Sequence, residues 1–334
     1  MKKKLKPVSK EIYPGIIMIK LPLAGGKPGP VNSYLLTGRV PTLIDTGTRK
    51  TVGHLEAALS MYGYSFRDIR RVILTHGHVD HYGAARQIRK LSGGSVEIAA
   101  HEEDSLLIES GLEVPKKRFI NYYRLMGVPV IFRLALLPVN LVLSSMAENC
   151  RVDRFLSDGE KIEAGDYVLS VISTPGHTRG SICLYIEKEG VLFSGDQMMS
   201  HITPNAFVML EPDSDLPVRS SQEEFYESLD RIEKLSPRLV LPAHGTQIED
   251  ASTIINMFRE QFFLRQSRIM EILEYGEFTP YRIGRILFPE IRGARLPLEV
   301  YLAVSEVYSH LQVLQKEKRV TGRVKRGSLR FKPA

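Results

Sequence analysis

The stretch THGHVDH, residues Thr75–His81, places three histidines and one aspartate within six consecutive positions, in the pattern H-x-H-x-D-H. It follows the short apolar run Arg71–Leu74, which we predict to be a strand, and precedes a predicted helix at Tyr82–Leu91. A turn at the end of a strand can direct such side chains into one small volume. Because imidazole nitrogen and carboxylate oxygen are the ligands that borderline divalent cations prefer, the stretch predicts a metal site.

Three more candidate ligands, His177, Asp196 and His244, lie further along the chain, and each follows a short predicted strand. Each stands in a loop marked by glycine or proline, and loops that a rigid scaffold holds in place are where catalytic groups tend to lie. A polar loop with histidines that occur by chance is the alternative interpretation. Seven candidate ligands that follow strand ends in order favour one site with two metals.

Five motifs occur in an order that resembles the metallo-β-lactamase superfamily and, within it, the glyoxalase II-like hydrolases. They are Ile44-Asp45-Thr46-Gly47, His76–His81, Pro175-Gly176-His177-Thr178, Ser194-Gly195-Asp196 and Pro242-Ala243-His244-Gly245. The resemblance extends from about Ile12 to Gly245. It implies an α+β fold, the four-layer αββα sandwich of that superfamily, here with a helical insertion and a C-terminal winged-helix domain.

The resemblance also implies a role for each candidate ligand. The residues expected to hold the first metal are His76, His78 and His177. The residues expected to hold the second metal are Asp80, His81 and His244. Asp196 would bridge the two metals, and Asp45 would lie behind the ligands and orient one of them by a hydrogen bond. Two divalent cations are implied; zinc is the default, and iron and manganese suit the same donors.

The mechanism that the resemblance implies is hydrolysis by a hydroxide shared between two cations, which lower its pKa toward neutrality. Asp80 would be a catalytic residue as well as a ligand, because it would orient that nucleophile. The substrate would be a thioester or a related small acyl compound, since Pro175–Ser181 resembles the same segment of glyoxalase II-type enzymes. The alternatives are a metal-dependent endoribonuclease or phosphodiesterase, and a nucleic-acid-binding regulatory protein with a vestigial metal site.

The C-terminal quarter of the chain differs from the rest in charge. It contains 15 Lys or Arg and 8 Asp or Glu, which accounts for the whole net charge of +7. We therefore predict a catalytic domain at residues 1–250 and a second domain at residues 251–334. Three helices are predicted in the second domain, at Ser252–Leu273, Tyr281–Leu287 and Leu298–Lys316. Two strands joined by a turn at Lys325–Ser328 follow them, and this order is typical of a winged helix.

The predicted winged helix resembles the module that follows the last histidine motif in members of the lactamase-like protein 2 type. Its basic wing, Lys316–Lys332, could bind nucleic acid, because a basic patch is the usual footprint of such binding. The alternative, which we favour, is that the module packs against the catalytic domain or against a second subunit in a homodimer.

A helical insertion is predicted at residues 105–150, between two of the metal motifs. It is either an ordinary helical hairpin at the edge of the core or a lid over the metals that would favour an apolar acyl group. The side chains that a lid would offer are Tyr122, Tyr123, Met126, Phe132, Leu134, Leu136, Leu137 and Val139. Its apolar stretch Gly127–Ser145 contains Arg133 and two prolines, so we expect no transmembrane span.

The remaining features bear on location and on other reactive residues. A basic N-terminus without the apolar segment of a signal peptide predicts a cytoplasmic protein and argues against a periplasmic β-lactamase. The only two cysteines, Cys150 and Cys183, exclude a disulfide framework and are expected to be small buried groups. The histidines expected at the surface or in packing are His54, His101, His201 and His310, of which His201 could also face the site.

Overall fold

Two β-sheets form the centre of the molecule. The computed structural model describes residues 8–23, 28–111, 116–135, 145–210, 214–291 and 296–334. Within these ranges, seven strands pair in chain order in the first sheet: β1 (Val8–Tyr13), β2 (Ile16–Leu21), β3 (Val31–Leu36), β4 (Thr42–Ile44), β5 (Arg71–Ile73), β6 (Glu97–His101) and β7 (Arg154–Leu156). The second sheet has the order β12-β11-β10-β9-β8: β8 (Lys161–Ala164), β9 (Tyr167–Ser173), β10 (Ile182–Ile186), β11 (Val191–Gly195) and β12 (Leu239–Pro242).

Helices flank the two sheets and form most of the C-terminal part. Those of the first 250 residues are α1 (Val52–Met61), α2 (Val79–Tyr82), α3 (Ala85–Leu91), α4 (Glu102–Ser110), α5 (Lys116–Leu125) and α6 (Ser221–Leu235). Residues 130–135 are also helical. The C-terminal part contains α7 (Ala251–Glu274), α8 (Pro280–Leu287) and α9 (Leu296–Lys316), followed by the hairpin of β13 (Val320–Lys325) and β14 (Ser328–Pro333).

Three apolar clusters define four layers. The central cluster combines side chains from the inner faces of both sheets, such as Tyr34 and Leu184. A second cluster joins the outer face of the first sheet to Leu55 of α1, and a third joins the outer face of the second sheet to Phe225 of α6. The predicted αββα arrangement is therefore confirmed, because each sheet has one face on the other sheet and one face under helices.

Strand β10 illustrates why a strand that is covered on both faces is easy to recognise in sequence. Ile182, Leu184 and Ile186 belong to the central cluster, whereas Cys183 and Tyr185 belong to the outer one. Successive side chains of a strand point to opposite faces, so a strand that is covered on both faces is apolar throughout. The apolar run Ile182–Ile186 predicts a strand with the same bounds that β10 has in the structure.

Two predicted elements were wrong in their bounds. The apolar run Ile12–Ile19 predicts a single strand, but it is two antiparallel strands, because the chain turns at Gly15, where φ is +67°. The helix predicted at Tyr82–Leu91 is preceded by α2 and begins only at Ala85. Between α2 and α3, a Cβ on Gly83 would lie 2.3 Å from the carbonyl oxygen of Val79, so no larger residue fits there.

Three strands of the two sheets were not predicted. β6 contains two alanines, which have low strand propensity, and β7 has only three residues. β8 alternates between exposed and buried residues along its four positions, which is a weak signal over so short a run. Neighbouring strands, rather than their own sequences, stabilise these three elements.

The C-terminal helices and hairpin share one apolar cluster with the insertion. Tyr122 and Met126, in the insertion, lie in the same cluster as Val304 of α9 and Phe331 of β14. Three other side chains were named for a lid. Tyr123 is buried in that cluster, Phe132 packs partly against it, and Leu134 is exposed. Leu136, Leu137 and Val139 lie outside the described residues. The lid and the winged helix stay predictions, but the C-terminal part does pack against the rest of the chain.

The C-terminal hairpin of β13 and β14 closes at the predicted turn. Lys325 pairs with Ser328, and Arg326 and Gly327 between them both have positive φ, as in the tight hairpin turns that match strand twist. None of the helices in the described part of the chain is both long and apolar enough to cross a bilayer.

Replacing Phe331 with alanine should destabilise the protein by about 3–5 kcal/mol, because a fully buried ring would leave a cavity in the cluster that joins the hairpin to α9. Urea unfolding measures the change. Phe263→Ala, in which 63% of the side chain is exposed, is the matched control and should stay within about 0.5 kcal/mol of the wild type. Equal stability of the two variants would show that the hairpin is not packed as described.

Candidate metal centre

All seven predicted ligands meet at one edge of the two sheets. His76 to His81 follow the end of β5 in the first sheet, whereas the other three follow strands of the second sheet. A backbone hydrogen bond of 2.9 Å from Ile182 to Thr75 joins the two sheets beside the cluster. The strand ends therefore place side chains from distant parts of the chain into contact, within three groups of potential metal ligands.

The first group is a triangle of imidazole nitrogens. Nε2 of His76 lies 3.0 Å from Nδ1 of His78, which lies 3.1 Å from Nε2 of His177. Tetrahedral zinc with Zn–N bonds of 2.0–2.1 Å separates its nitrogen ligands by about 3.3 Å. The observed triangle is thus close to the size that such an ion requires.

The second group consists of Asp80, His81 and His244. Oδ2 of Asp80 lies 3.8 Å from Nε2 of His81 and 3.5 Å from Nε2 of His244. These distances are too long for hydrogen bonds but suit donors that share one cation.

Asp196 lies between the two groups, and each of its two carboxylate oxygens faces one group. Oδ2 is 3.5 Å from Nε2 of His177, in the first group. Oδ1 is 3.6 Å from Nε2 of both His81 and His244, in the second group. A single carboxylate therefore contacts both groups.

Three buried atoms of this cluster have no hydrogen-bond partner among the described groups, namely Nε2 of His81, Nε2 of His244 and Oδ1 of Asp196. A buried polar atom without a partner costs about 1–3 kcal/mol. The three atoms face one another, and imidazole and carboxylate are suitable donors for divalent cations. The residues present therefore fit a pair of divalent cations.

Hydrogen bonds behind the cluster fix the orientation of three rings. Nδ1 of His177 donates to the carbonyl oxygen of Asn205 at 2.9 Å, and Nδ1 of His244 donates to that of Pro30 at 3.1 Å. Because a carbonyl oxygen only accepts, each Nδ1 holds the proton and each Nε2 keeps its lone pair toward the cluster. Asp45 accepts from Nδ1 of His81 at 2.9 Å, which is the position behind the ligands expected from the sequence.

Burial and charge set the protonation states in the cluster. Burial lowers the pKa of His78 to about 3, and it also lowers the pKa values of His76 and His177, so the first group is neutral and able to donate lone pairs. Burial would raise the pKa of Asp80, but the electrostatic influence of His81 and His244 lowers it to about 2. The carboxylate is therefore ionised, and its negative charge favours a cation.

Asp104, in the first turn of α4, contacts both ligand loops and was not predicted. Its Oδ2 accepts from the backbone N–H of Gly77 and from the hydroxyl of Thr178, each at 2.6 Å, and its Oδ1 accepts from the N–H of Gly180 at 2.8 Å. A Cβ on Gly180 would lie 2.8 Å from the Asp104 side chain, so glycine permits the close approach. Asp104 thus ties the loop between His76 and His78 to the loop after His177.

The sequence offered no signal for Asp104. It is one of three successive acidic residues at the start of a helix, where acids usually face solvent, yet it is fully buried. Of the histidines outside the motifs, His201 is exposed and contacts the carbonyl oxygen of Pro28, and His310 is buried in packing. Both cysteines are buried, as expected.

The Asp104→Asn variant should bind divalent metal about 10- to 100-fold more weakly, because its amide would face a backbone N–H and loosen the two loops that carry His76, His78 and His177. It should also lose about 1–3 kcal/mol of stability. Competition with a chelating dye measures the affinity. The control is Asp230→Asn, which changes an exposed acid that pairs with Arg259 and should bind metal normally. Unchanged metal affinity in both variants would exclude a positioning role for Asp104.

Proteins similar to this chain in sequence include some that are named as hydrolases. The probable metallo-hydrolase YqjP of Bacillus subtilis is 28% identical to this chain, and the match covers 91% of the chain and 93% of that protein. The beta-lactamase-like protein 2 homolog of Caenorhabditis elegans is 24% identical, with coverage of 77% and 72%. The atrochrysone carboxyl ACP thioesterase of Aspergillus fumigatus is also 24% identical, with coverage of 84% and 71%.

A solved structure and a family model also match this chain. The structure of the metallo-beta-lactamase family protein TTHA1429 from Thermus thermophilus superimposes with a TM-score of 0.80 at 26% identity, over 97% of this chain and 100% of that one. The model of the metallo-beta-lactamase superfamily matches residues 26–244, which include all seven side chains of the cluster. This chain belongs to the metallo-beta-lactamase superfamily.

Proposed function

We propose that this protein is a dinuclear metal-dependent hydrolase that cleaves thioesters or related acyl compounds. The observation that carries the proposal is the position of Asp196, whose two oxygens lie 3.5 and 3.6 Å from nitrogens of two different ligand groups. A carboxylate in that position suits two cations held side by side. A single ion would leave one of the two groups unused.

The proposed ligands of the first cation are His76, His78 and His177. The proposed ligands of the second are Asp80, His81 and His244, and Asp196 contacts both. When bound, two divalent cations lower the pKa of water and polarise a carbonyl oxygen, which is the chemistry that acyl hydrolysis needs. Zinc suits the set of nitrogen and oxygen donors, and the choice among zinc, iron and manganese belongs to the proposal.

Asp80 is the proposed catalytic residue. Its side chain is 16% exposed, compared with 6% for Asp196, so it is the carboxylate of the cluster nearer to solvent. Its low pKa keeps it ionised, so it accepts a hydrogen bond from the attacking water and fixes the direction of the oxygen lone pair. His244, 3.5 Å away, limits the movement of this carboxylate.

Two observations favour an acyl substrate. A relative that aligns with 84% of this chain is named a thioesterase. The segment Pro175–Ser181 resembles that of glyoxalase II-type hydrolases, and its Thr178 and Gly180 are the groups that Asp104 holds in place. A small acyl compound in the cytoplasm is therefore the proposed substrate.

The endoribonuclease alternative depends on free positive charge in the wing. Arg323 and Lys325 of β13 both pair with Glu277, at 2.6 and 3.2 Å, which reduces the charge available to phosphate groups. A winged helix that packs rather than binds nucleic acid is thus the favoured interpretation. The vestigial-site alternative is disfavoured because the cluster retains every donor of the set.

A hydrolysis panel on protein of measured metal content tests the proposal. Acyl thioesters, lactones, a phosphodiester reporter and single-stranded RNA are assayed in parallel, and thioester hydrolysis with about two metal ions per chain is the expected result. Activity on RNA alone would overturn the acyl assignment.

Asp196→Asn should lower thioester hydrolysis by more than about 100-fold and reduce the metal content to one ion or fewer, because an amide is a poor bridge between cations. Metal analysis and initial rates check both effects. The control is Asp230→Asn, in an exposed ion pair with Arg259 and outside all the ligand groups. A fully active Asp196→Asn variant with two ions would contradict the bridging role.

A further inference from the structure

A row of aromatic rings leads away from the first ligand group. The ring of Phe207 lies edge-on to His78 and His177, with centroids 5.2 and 5.3 Å away. Phe207 stacks in an offset manner on Tyr301 of α9 at 6.4 Å, and Tyr301 stacks on Phe119 of α5 at 5.8 Å. We call these three residues, Phe119, Phe207 and Tyr301, the aromatic shelf.

The position of Phe207 is fixed from both sides. Asn205, two residues earlier, accepts the hydrogen bond from His177, and Val208, the next residue, donates to the hydroxyl of Ser305 on α9 at 2.8 Å. Arg179 also donates to the carbonyl oxygen of Met209 at 3.0 Å. The segment therefore connects His177 to the C-terminal helix, and it holds the shelf in a fixed position beside the histidines of the first group.

The shelf differs from the aromatic core behind it in exposure. All three of its rings are partly exposed, whereas Tyr122 and Tyr123, which pack behind them, are 2% and 1% exposed. Tyr308 and Phe331 of the same cluster are buried as well, at 6% and 0% exposure. The partial exposure of the shelf, continuous with the ligand histidines, leaves ring surface available to a bound group.

We propose that the aromatic shelf binds the acyl part of the substrate and selects flat, aromatic acyl groups over straight alkyl chains. The inference rests on the proposed acyl hydrolysis and specifies its substrate class. Aromatic groups prefer offset or edge-to-face contact with other rings, which is the arrangement that the shelf presents. An acyl group lying on Phe207 and Tyr301 would place its carbonyl carbon beside His78 and His177. The C-terminal helix would then supply part of the substrate site.

The test compares benzoyl and hexanoyl thioesters of the same thiol. The ratio of kcat/KM for benzoyl over hexanoyl should fall about 3- to 10-fold in Tyr301→Leu, through KM rather than kcat, because one ring contact is lost. Tyr301→Phe keeps the ring and should retain the wild-type ratio. Tyr275→Leu, at a tyrosine of the C-terminal part that is 87% exposed, is the matched control and should also retain it. If Tyr301→Leu does not fold, Phe119→Leu takes its place.

Calorimetric titration with 2-naphthoate separates the shelf from the hydrolysis. Weaker binding to Tyr301→Leu than to the wild type and Tyr275→Leu supports the shelf, and equal binding overturns it. Hydrolysis of both thioesters with an unchanged ratio in Tyr301→Leu also overturns the shelf but leaves the acyl hydrolysis intact. If the wild type hydrolyses neither thioester, the proposed function fails, and the naphthoate titration alone decides whether the rings form a binding site.

Discussion

The structure depends on bringing seven donor groups together, five of them buried, so that each lies within 3–4 Å of at least one other. The lone pairs of the imidazole nitrogens and carboxylate oxygens point inward and repel one another. Only a rigid frame can therefore hold these groups together. Two sheets packed face to face provide that frame, because the ends of β5, β9, β11 and β12 meet at one edge. Hydrogen bonds from the backbone and from Asp45 and Asp104 then fix the loops and rings.

The sequence identifies seven residues that the structure brings together, because their pattern is local. His76 to His81 lie within six residues, and each other donor lies one to four residues after the end of a short strand. The supporting contacts are harder to predict, since they join distant residues. Asp104 bonds to Gly77 across 27 positions and to Thr178 across 74, and nothing in a short acidic run at the start of a helix distinguishes it from its exposed neighbours.

The C-terminal part shows a second limit of sequence analysis. Charge changes near residue 250, yet apolar packing continues across that position, since Ile255 and Phe258 of α7 share a cluster with Phe225 and Leu229 of α6. The sequence identified the three helices and the hairpin turn because caps and turn residues are local signals. It could not reveal that Tyr301 of α9 would reach Phe207 beside the ligand histidines, because that contact depends on how the layers pack.

The unpartnered atoms of His81, His244 and Asp196 also affect folding thermodynamics. The unfolded chain has no comparable arrangement, so a cation that occupies these donors binds the native state alone. The concentration of free cation then affects the folding equilibrium. Free cation at 100 times its dissociation constant raises the free energy of unfolding by about 2.7 kcal/mol per site. Starvation for transition metals would therefore shorten the lifetime of the native protein as well as reduce its turnover.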